Sequence, residues 1–136
     1  MTATTLSAGD RLDDLVVAPI SRTTLALFAG ASGDHNPIHI DLDVAKSAGL
    51  EDVFVHGMLS MAYLGRLLTD NFAIDALRSY KVRFASITPV HGQPTCSAVV
   101  REVDHSSGES LATLDLTVAL ADGTVTLVGE AVVALD

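Results

Sequence analysis

The sequence predicts an α+β fold in which one antiparallel sheet wraps a single central helix. Residues 55–72, VHGMLSMAYLGRLLTDNF, form a long and mostly apolar segment of helical length. From residue 79 onward, apolar residues instead recur at every second position, which is the period of a half-buried strand. Turn sequences separate these later segments, so we expect consecutive strands to pair antiparallel and the apolar helix to fill the concave side of their sheet.

The chain begins with a predicted short strand followed by a helix. Residues 10–20, DRLDDLVVAPI, predict the strand, which Pro19 closes. Ser21 is a suitable N-cap for a helix through residues 23–31, because its hydroxyl can accept a hydrogen bond from a free N–H of the first turn.

Two further helices follow a proline that interrupts the helical pattern. Pro37 has no N–H and pushes the preceding residue towards extended geometry, so the first helix must end before it. Residues 42–50 predict a short helix that Gly49 stops. The segment 55–72 is apolar around most of its circumference, and we therefore expect it to be surrounded by protein.

Four of the five expected strands lie in the second half of the chain. Their predicted ranges are 79–87, 95–103, 113–120 and 124–135. In the third of these, Leu114 and Leu116 begin an apolar face that continues at every second residue. The Asp122-Gly123 pair between the last two strands is typical of a hairpin turn.

Length and charge predict one domain over residues 1–136 and argue against several classes of partner. A chain of 136 residues can bury a sizeable core without a metal or a disulfide. Its net charge of −9 argues against nucleic acid and against an anionic membrane surface. No stretch approaches the roughly 18 apolar residues of a membrane span.

The cysteine count and the first ten residues predict a cytoplasmic location. The chain has a single cysteine, Cys96, so no intrachain disulfide can form. Cys96 falls within a strand pattern, which favours a role as a core residue. Residues 1–10 contain neither the basic stretch nor the apolar run of a signal peptide.

The stretch SGDHNPIH, residues 32–39, concentrates polar chemistry in an otherwise apolar chain. Pro37 excludes a helix here, but an irregular loop can still aim Asp34 and His39 at one point. A carboxylate and an imidazole that meet at one water molecule form a general acid–base pair. The amide of Asn36, between them, can orient either group or the water.

A second set of polar atoms is expected where the long helix begins, at His56-Gly57. A glycine there lets a ligand approach the backbone, and a helix N-terminus offers free N–H groups with partial positive charge. Such a site stabilises an enolate oxygen or a thioester carbonyl. We place Gly57 in this oxyanion site and expect His56 to serve it as a hydrogen-bonding residue rather than as a catalyst.

Simpler interpretations of the same residues remain open. Gly, Asp, Asn and Pro are the usual residues of a polar turn, so SGDHNPIH can be only a connection. A metal site is the second alternative, but its ligand types match no compact spacing, and we expect no metal and no cofactor. Its ligands would be Asp34, His35, His39 and Asp41. A Ser–His–Asp triad is weaker still, because no serine lies in a nucleophile-elbow sequence. His91 and His105 lie among turn residues and are expected at the surface.

The segment FAGASGDHNPIHIDLDVA, residues 28–45, resembles the signature of the MaoC-like (R)-specific enoyl-CoA hydratases and (3R)-hydroxyacyl-thioester dehydratases. The matching positions are Phe28, Ser32, Gly33, Asp34, Asn36, Pro37, Ile38, His39 and Ala45. Ala31 is smaller than the aliphatic residue usual in that signature. A second block of the family is present as VHGML, residues 55–59, and a third as VRFASITPV, residues 82–90. Where many relatives then have Gly-Asp, this chain has His-Gly-Gln.

The resemblance implies a single hotdog fold, with a five-stranded sheet around the long helix. It implies that Asp34 and His39 are the catalytic pair, that Asn36 supports them and that the Gly57 N–H binds the thioester oxygen. The expected reaction is the reversible hydration of trans-2-enoyl thioesters of coenzyme A or acyl carrier protein to (R)-3-hydroxyacyl thioesters. The resemblance also implies a homodimer that pairs through sheet edges, or a heterodimer with a related subunit.

Two other functions compete with this reading. The first is an acyl-CoA thioesterase of the hotdog class, which the Asp34/His39 pairing disfavours. The second is a non-catalytic subunit that only binds acyl thioesters. The densest basic stretch, Arg78, Lys81 and Arg83, can meet coenzyme A phosphates or an acidic carrier protein, or can simply decorate a solvent face.

Overall fold

The computed structural model describes residues 5–135, and in that range the chain forms one five-stranded antiparallel sheet. The strands are β1 (Leu15–Val16), β2 (Leu77–Phe84), β3 (Thr95–Asp104), β4 (Ser110–Ala119) and β5 (Val125–Leu135). Their order across the sheet is β1-β3-β4-β5-β2, and every neighbouring pair is antiparallel. The predicted sheet is therefore confirmed. Four of the ten residues on which the signal-peptide prediction rests, residues 1–4, lie outside the described range.

Three α-helices lie between β1 and β2. They are α1 (Arg22–Ser32), α2 (Leu42–Ser47) and α3 (Gly57–Asn71), with 3₁₀ turns at Pro37–His39 and Ile74–Ala76. Ser21 caps α1 as predicted, because its hydroxyl accepts a hydrogen bond of 3.1 Å from the Thr24 N–H. Gly33 ends α1 in the left-handed conformation, with φ 79°, which glycine adopts without strain.

The second helix is capped by a residue that the sequence had suggested as a reactive group. The side chain of Asp41 accepts hydrogen bonds from the N–H groups of Asp43 and Val44, which satisfies two free donors of the first turn of α2. This helix ends at Ser47, and Gly49 follows with φ 87°.

The core lies between α3 and the concave face of the sheet. Leu64, Leu67 and Leu68 of α3 are almost fully buried against residues of β3, β4 and β5. Burial of one such side chain stabilises the fold by about 1.5–3 kcal/mol. Cys96 of β3 is fully buried in this cluster, which confirms its predicted place in the core.

A single chain does not enclose α3 completely. Met58, Ala62 and Arg66 are exposed, and their spacing of four residues places them on one stripe of the helix. The expectation that protein surrounds this helix is therefore wrong for the single chain, because the sheet covers only one side of it. β1 is also shorter than predicted, with two residues in place of the expected range 10–20.

A glycine in β5 lies very close to the backbone of β2. Gly129 of β5 lies opposite Val82 of β2, and a Cβ atom at residue 129 would lie 2.5 Å from the carbonyl oxygen of Lys81. Only glycine fits this register. In the range 5–135, none of the helices is both long enough and apolar enough to cross a bilayer.

Candidate functional site

The loop from residue 32 to residue 39 is held by its own polar side chains. Ser32 Oγ accepts a hydrogen bond from the Asp34 N–H, Asp34 Oδ1 from the Asn36 N–H, and Asn36 Oδ1 from the Ile38 N–H, at 3.1, 3.2 and 3.1 Å. Each of these side chains accepts a hydrogen bond from the backbone N–H two residues further on, which closes a local turn. The side-chain oxygen of Asn36 therefore caps the 3₁₀ turn that carries His39, and Asn36 supports the loop in this way.

The loop brings Asp34 and His39 together as the sequence predicts. Asp34 Oδ2 lies 3.8 Å from His39 Nε2, too far for a direct hydrogen bond but close enough for both atoms to contact one small polar group. His39 Nδ1–H donates a hydrogen bond of 2.7 Å to the carbonyl oxygen of Phe54. Because this bond requires the proton on Nδ1, Nε2 is the nitrogen that carries the lone pair in the neutral ring, and it faces Asp34. The Asp34 side chain is 47% exposed and that of His39 only 9%.

His56 lies behind this pair, almost completely buried. Its imidazole stacks on that of His39, with ring centroids 4.0 Å apart and planes inclined by 24°. Its Nε2–H donates a hydrogen bond of 3.3 Å to the backbone carbonyl of Asp34, and the ring of Phe28 packs edge-on against it. Burial, together with the nearby His39, lowers the pKa of His56.

The three side chains Asp34, His39 and His56 place their ligand atoms within 4.8 Å of one another, as a metal site would require. A metal ion, however, lies in the plane of each imidazole that binds it. The rings of His39 and His56 are stacked with their planes inclined by only 24°, so the two planes meet well beyond the distance at which an imidazole nitrogen binds a metal. This arrangement does not fit a shared metal ion.

The other candidate ligands lie apart from this cluster. His35 is exposed on the loop, and Asp41 caps α2. His91 is exposed, with φ 69°, and His105 is exposed and hydrogen-bonds Ser110 Oγ, so both are surface residues as predicted.

The N-terminus of α3 opens onto a pocket of about 330 Å³. Gly57 lines this pocket together with Phe54, Ser60, Phe84 and Leu127. The Gly57 N–H donates to no carbonyl within residues 5–135, so it is available to a ligand. A Cβ atom at residue 57 would lie 3.0 Å from the Phe84 ring, which explains the glycine by space rather than by backbone angle.

The residues that form the walls of this pocket were not predicted from the sequence. Phe84 and Leu127 come from β2 and β5, and their convergence depends on how the two strands pair. Ser60 gave a weak signal, since it is a polar residue on a mostly apolar helix, and it is 1% exposed in the structure. Phe54 links the two halves of the site, because it lines the pocket and its carbonyl holds His39.

Comparisons with known proteins agree on one family. A family model described as the MaoC like domain matches residues 5–122. The chain is 33% identical over 118 residues to an (R)-specific enoyl-CoA hydratase of Rhodospirillum rubrum, which covers 84% of this chain and 78% of the relative. It is also 34% identical over 79 residues to the mouse peroxisomal multifunctional enzyme type 2. That match covers 56% of this chain but only 11% of the mouse enzyme.

Solved structures show the same fold. The (R)-hydratase of A. caviae involved in PHA biosynthesis superposes with a TM-score of 0.85 at 26% identity, over 97% of this chain and 98% of the hydratase. A chain of the ChsH1-ChsH2 complex of Mycobacterium tuberculosis superposes with a TM-score of 0.82 over 97% of this chain and 99% of that chain. The identity there is 21%, so this second likeness shows the hotdog fold alone.

Proposed function

The chain belongs to the MaoC-like domain family, and from that premise we propose that it is a hydro-lyase acting on acyl thioesters. The reaction is the reversible hydration of a trans-2-enoyl thioester to the (R)-3-hydroxyacyl thioester. The observation that carries the proposal is the pairing of Asp34 Oδ2 with His39 Nε2 at 3.8 Å, beside a helix N-terminus that opens onto a pocket. The names of the relatives support the same reaction class.

We propose that Asp34 and His39 are the catalytic pair. In the hydration direction, His39 Nε2 removes a proton from a bound water as its oxygen attacks the β-carbon. The electron pair of the double bond moves to the thioester, forming an enolate. The new hydroxyl group, which lies between the two side chains, relays the proton from His39 to Asp34 Oδ2. Asp34 then delivers a proton to the α-carbon, so the pair ends in its starting state and one water has been added.

The enolate needs stabilisation where its oxygen lies. The Gly57 N–H and the partial positive charge at the N-terminus of α3 supply it in this proposal. One such donor is worth on the order of 10²- to 10³-fold in rate in other enzymes that stabilise an oxyanion. The acyl part of the substrate enters the pocket whose walls include Phe84 and Leu127, because those walls are apolar.

The acyl carrier is coenzyme A or acyl carrier protein. The basic residues of the stretch 78–83 do not distinguish between the two carriers. Arg78 forms a two-point ion pair with Glu109, and Lys81 lies 3.5 Å from Glu130. Within residues 5–135, Arg83 is the member of that stretch that has no carboxylate partner. Arg78 and Lys81 therefore belong to the charged outer surface, and Arg83 remains for a phosphate or an acidic partner.

We also propose a homodimer that pairs through the edge of β2. This strand is the last in the sheet order, so one of its edges faces no other strand in the described part of the chain. Phe84 and Ile87, at and just beyond its end, are 51% and 53% exposed and line the pocket. A heterodimer with a related chain is the alternative. The native mass of the purified chain tests the proposal, and a monomer would contradict it.

Two further proposals concern the domain organisation and the cellular location of the protein. We propose that residues 1–136 act as one MaoC-like domain in the cytoplasm. The family model over residues 5–122 supports the first part, and the absence of a second cysteine that could pair with Cys96 agrees with the second. Limited proteolysis and cell fractionation test them.

The decisive experiment is a hydration assay with trans-2-enoyl-CoA substrates of increasing chain length. We expect the ultraviolet absorbance of the conjugated thioester to fall, and chiral analysis to show the (R)-3-hydroxyacyl product. The same acyl chains on acyl carrier protein then rank the two carriers by kcat/KM. No hydration of any substrate, by the chain alone or with a partner subunit, would overturn the proposal. Release of free thiol from saturated acyl-CoA would instead indicate a thioesterase.

A further inference from the structure

We propose that His56 is a positioning residue that fixes both members of the catalytic pair and stays neutral while they exchange a proton. This inference rests on the proposed function, because it assigns a role relative to Asp34 and His39. His56 contacts the backbone of the first and the ring of the second, although it lies 22 and 17 residues further along the chain.

The first contact anchors the loop of Asp34 to the start of α3. The other hydrogen bonds around Asp34 join it to Ser32 and Asn36, which belong to the same short loop. The hydrogen bond from His56 Nε2–H to the Asp34 carbonyl is the one that crosses to another element. This anchor ties the backbone of the half-exposed Asp34 to α3, while the Asn36 N–H holds its carboxylate through Oδ1.

The second contact restrains the His39 ring. One face of that ring stacks on His56 at 4.0 Å, and the Phe54 ring packs against it in a T-shaped arrangement, with centroids 4.8 Å apart. The Phe54 carbonyl also holds Nδ1. These two ring contacts and the hydrogen bond restrain the ring in the orientation in which Nε2 points at Asp34.

The protonation state of His56 follows from its partners. A carbonyl only accepts, so the Asp34 oxygen requires the proton on His56 Nε2. Nδ1 then carries a lone pair, and it is buried with no hydrogen-bond partner in the described chain. A proton added there would be a buried donor without an acceptor, on a ring stacked against His39. The charged or titratable groups that face His56 are Asp34 and His39, and from α1 the neutral Phe28 covers it.

His56 also joins the pair to the oxyanion site. Its own carbonyl accepts hydrogen bonds from the N–H groups of Leu59 and Ser60, which begins α3. The next N–H along the chain is that of Gly57. Any shift of His56 therefore moves the acid–base pair and the oxyanion donor together, and a displacement of about 1 Å in an active site can cost on the order of 10²-fold in rate.

The test combines kinetics with nitrogen NMR on the full chain. His56→Phe keeps a stacked ring but removes the hydrogen bond to Asp34, while His56→Gln keeps a donor and removes the stacking. We expect kcat to fall on the order of 10- to 100-fold in both variants, with KM changed by less than about threefold. The matched control is Leu67→Ala, a change at a buried core residue of the same helix that lies three turns away from His56.

The kinetic comparison is made after unfolding experiments have ranked the variants by stability. A purely structural His56 would give Leu67→Ala and His56→Phe the same kcat at the same loss of stability, and that result would overturn the inference. So would a kcat for His56→Phe equal to that of the parent chain. If the parent chain itself hydrates no substrate, the proposed function fails, and this outcome is separate from the comparison among variants.

The NMR measurement does not depend on activity or on any variant. We expect ¹⁵N shifts of His56 in the parent chain to show the neutral Nε2–H form throughout about pH 5–8, the range in which an ordinary imidazole titrates. The ¹⁵N signals of exposed His35 and His105, recorded in the same spectra, are the comparison. Titration of His56 within this pH range would contradict a neutral positioning residue, even if the His56 variants failed to fold.

Discussion

Phe54 holds the imidazole of His39 from two directions. Its carbonyl oxygen accepts the Nδ1–H at 2.7 Å, and its ring packs edge-on against the same imidazole. Phe54 also lines the pocket, so the residue that orients the proposed base forms part of the wall that meets the substrate. Orientation of the base and binding of the acyl chain are therefore coupled through one residue.

The first prediction concerns the catalytic pair. Asp34→Asn and His39→Ala should each lower kcat by on the order of 10²- to 10⁴-fold, because each removes a group that carries the proton. Steady-state hydration of an enoyl-CoA measures this. His35→Ala is the control, since His35 lies on the same loop but is exposed and outside the cluster. Equal losses in all three variants would point to the loop fold and not to the pair.

The second prediction concerns the space at the N-terminus of α3. Gly57→Ala places a Cβ atom 3.0 Å from the Phe84 ring, so we expect the ring or the helix start to shift and kcat to fall at least tenfold. Gly65→Ala is the matched control on the same helix. Its Cβ meets the Tyr80 ring at an ordinary 3.5 Å, and it should leave kcat unchanged while stabilising the helix by up to about 1 kcal/mol. A fully active Gly57→Ala variant would contradict the prediction that the contact with Phe84 requires glycine at this position.

The third prediction concerns the close approach of β2 and β5. Gly129→Ala places a Cβ atom 2.5 Å from the Lys81 carbonyl oxygen, and this atom is backbone that cannot swing away. We expect a loss of about 1–3 kcal/mol in the free energy of unfolding, measured in urea. Gly30→Ala in α1 has no neighbour within 4 Å and should not destabilise the chain. A neutral Gly129→Ala would mean that the two strands separate easily.

The fourth prediction concerns the thiol. Burial raises the pKa of Cys96 to about 11, so the fraction of thiolate at about pH 8 is far below that of an ordinary cysteine. A disulfide reagent should therefore react with the native chain very slowly, and at the ordinary rate after unfolding. The rate in the native state should rise with pH as the thiol approaches its raised pKa. Fast reaction of the folded chain at about pH 8 would contradict the burial of Cys96.

Local sequence rules predicted the parts of this fold that depend on near neighbours. Ser21 as a cap, the stop at Gly49 and the strand alternation around Leu114 all rest on contacts within a few residues, and they recur in the structure. The length of β1 was overestimated, because its pairing with β3 is interrupted: only Leu15 and Val16 form a continuous ladder, and Arg11 makes a separate bridge to Val99.

The site, too, has parts that could be predicted from near neighbours and parts that could not. The loop that carries Asp34 and His39 is short, and its proline made their approach predictable. The stacking of His56 on His39 and the contact of Phe84 with Gly57 join residues 17 and 27 positions apart, so they depend on how helix, loop and sheet pack together. No periodicity in the sequence encodes such contacts.

The two oxygens of the Asp34 carboxylate have different environments. Oδ1 is committed to the Asn36 N–H, and Oδ2 faces His39. A carboxyl group in this loop must keep Oδ1 as an acceptor, so any proton it holds is confined to Oδ2. In the proposed reaction, this turn therefore determines which face of the α-carbon is protonated. The α-carbon can receive its hydrogen only from the side on which the loop presents Oδ2.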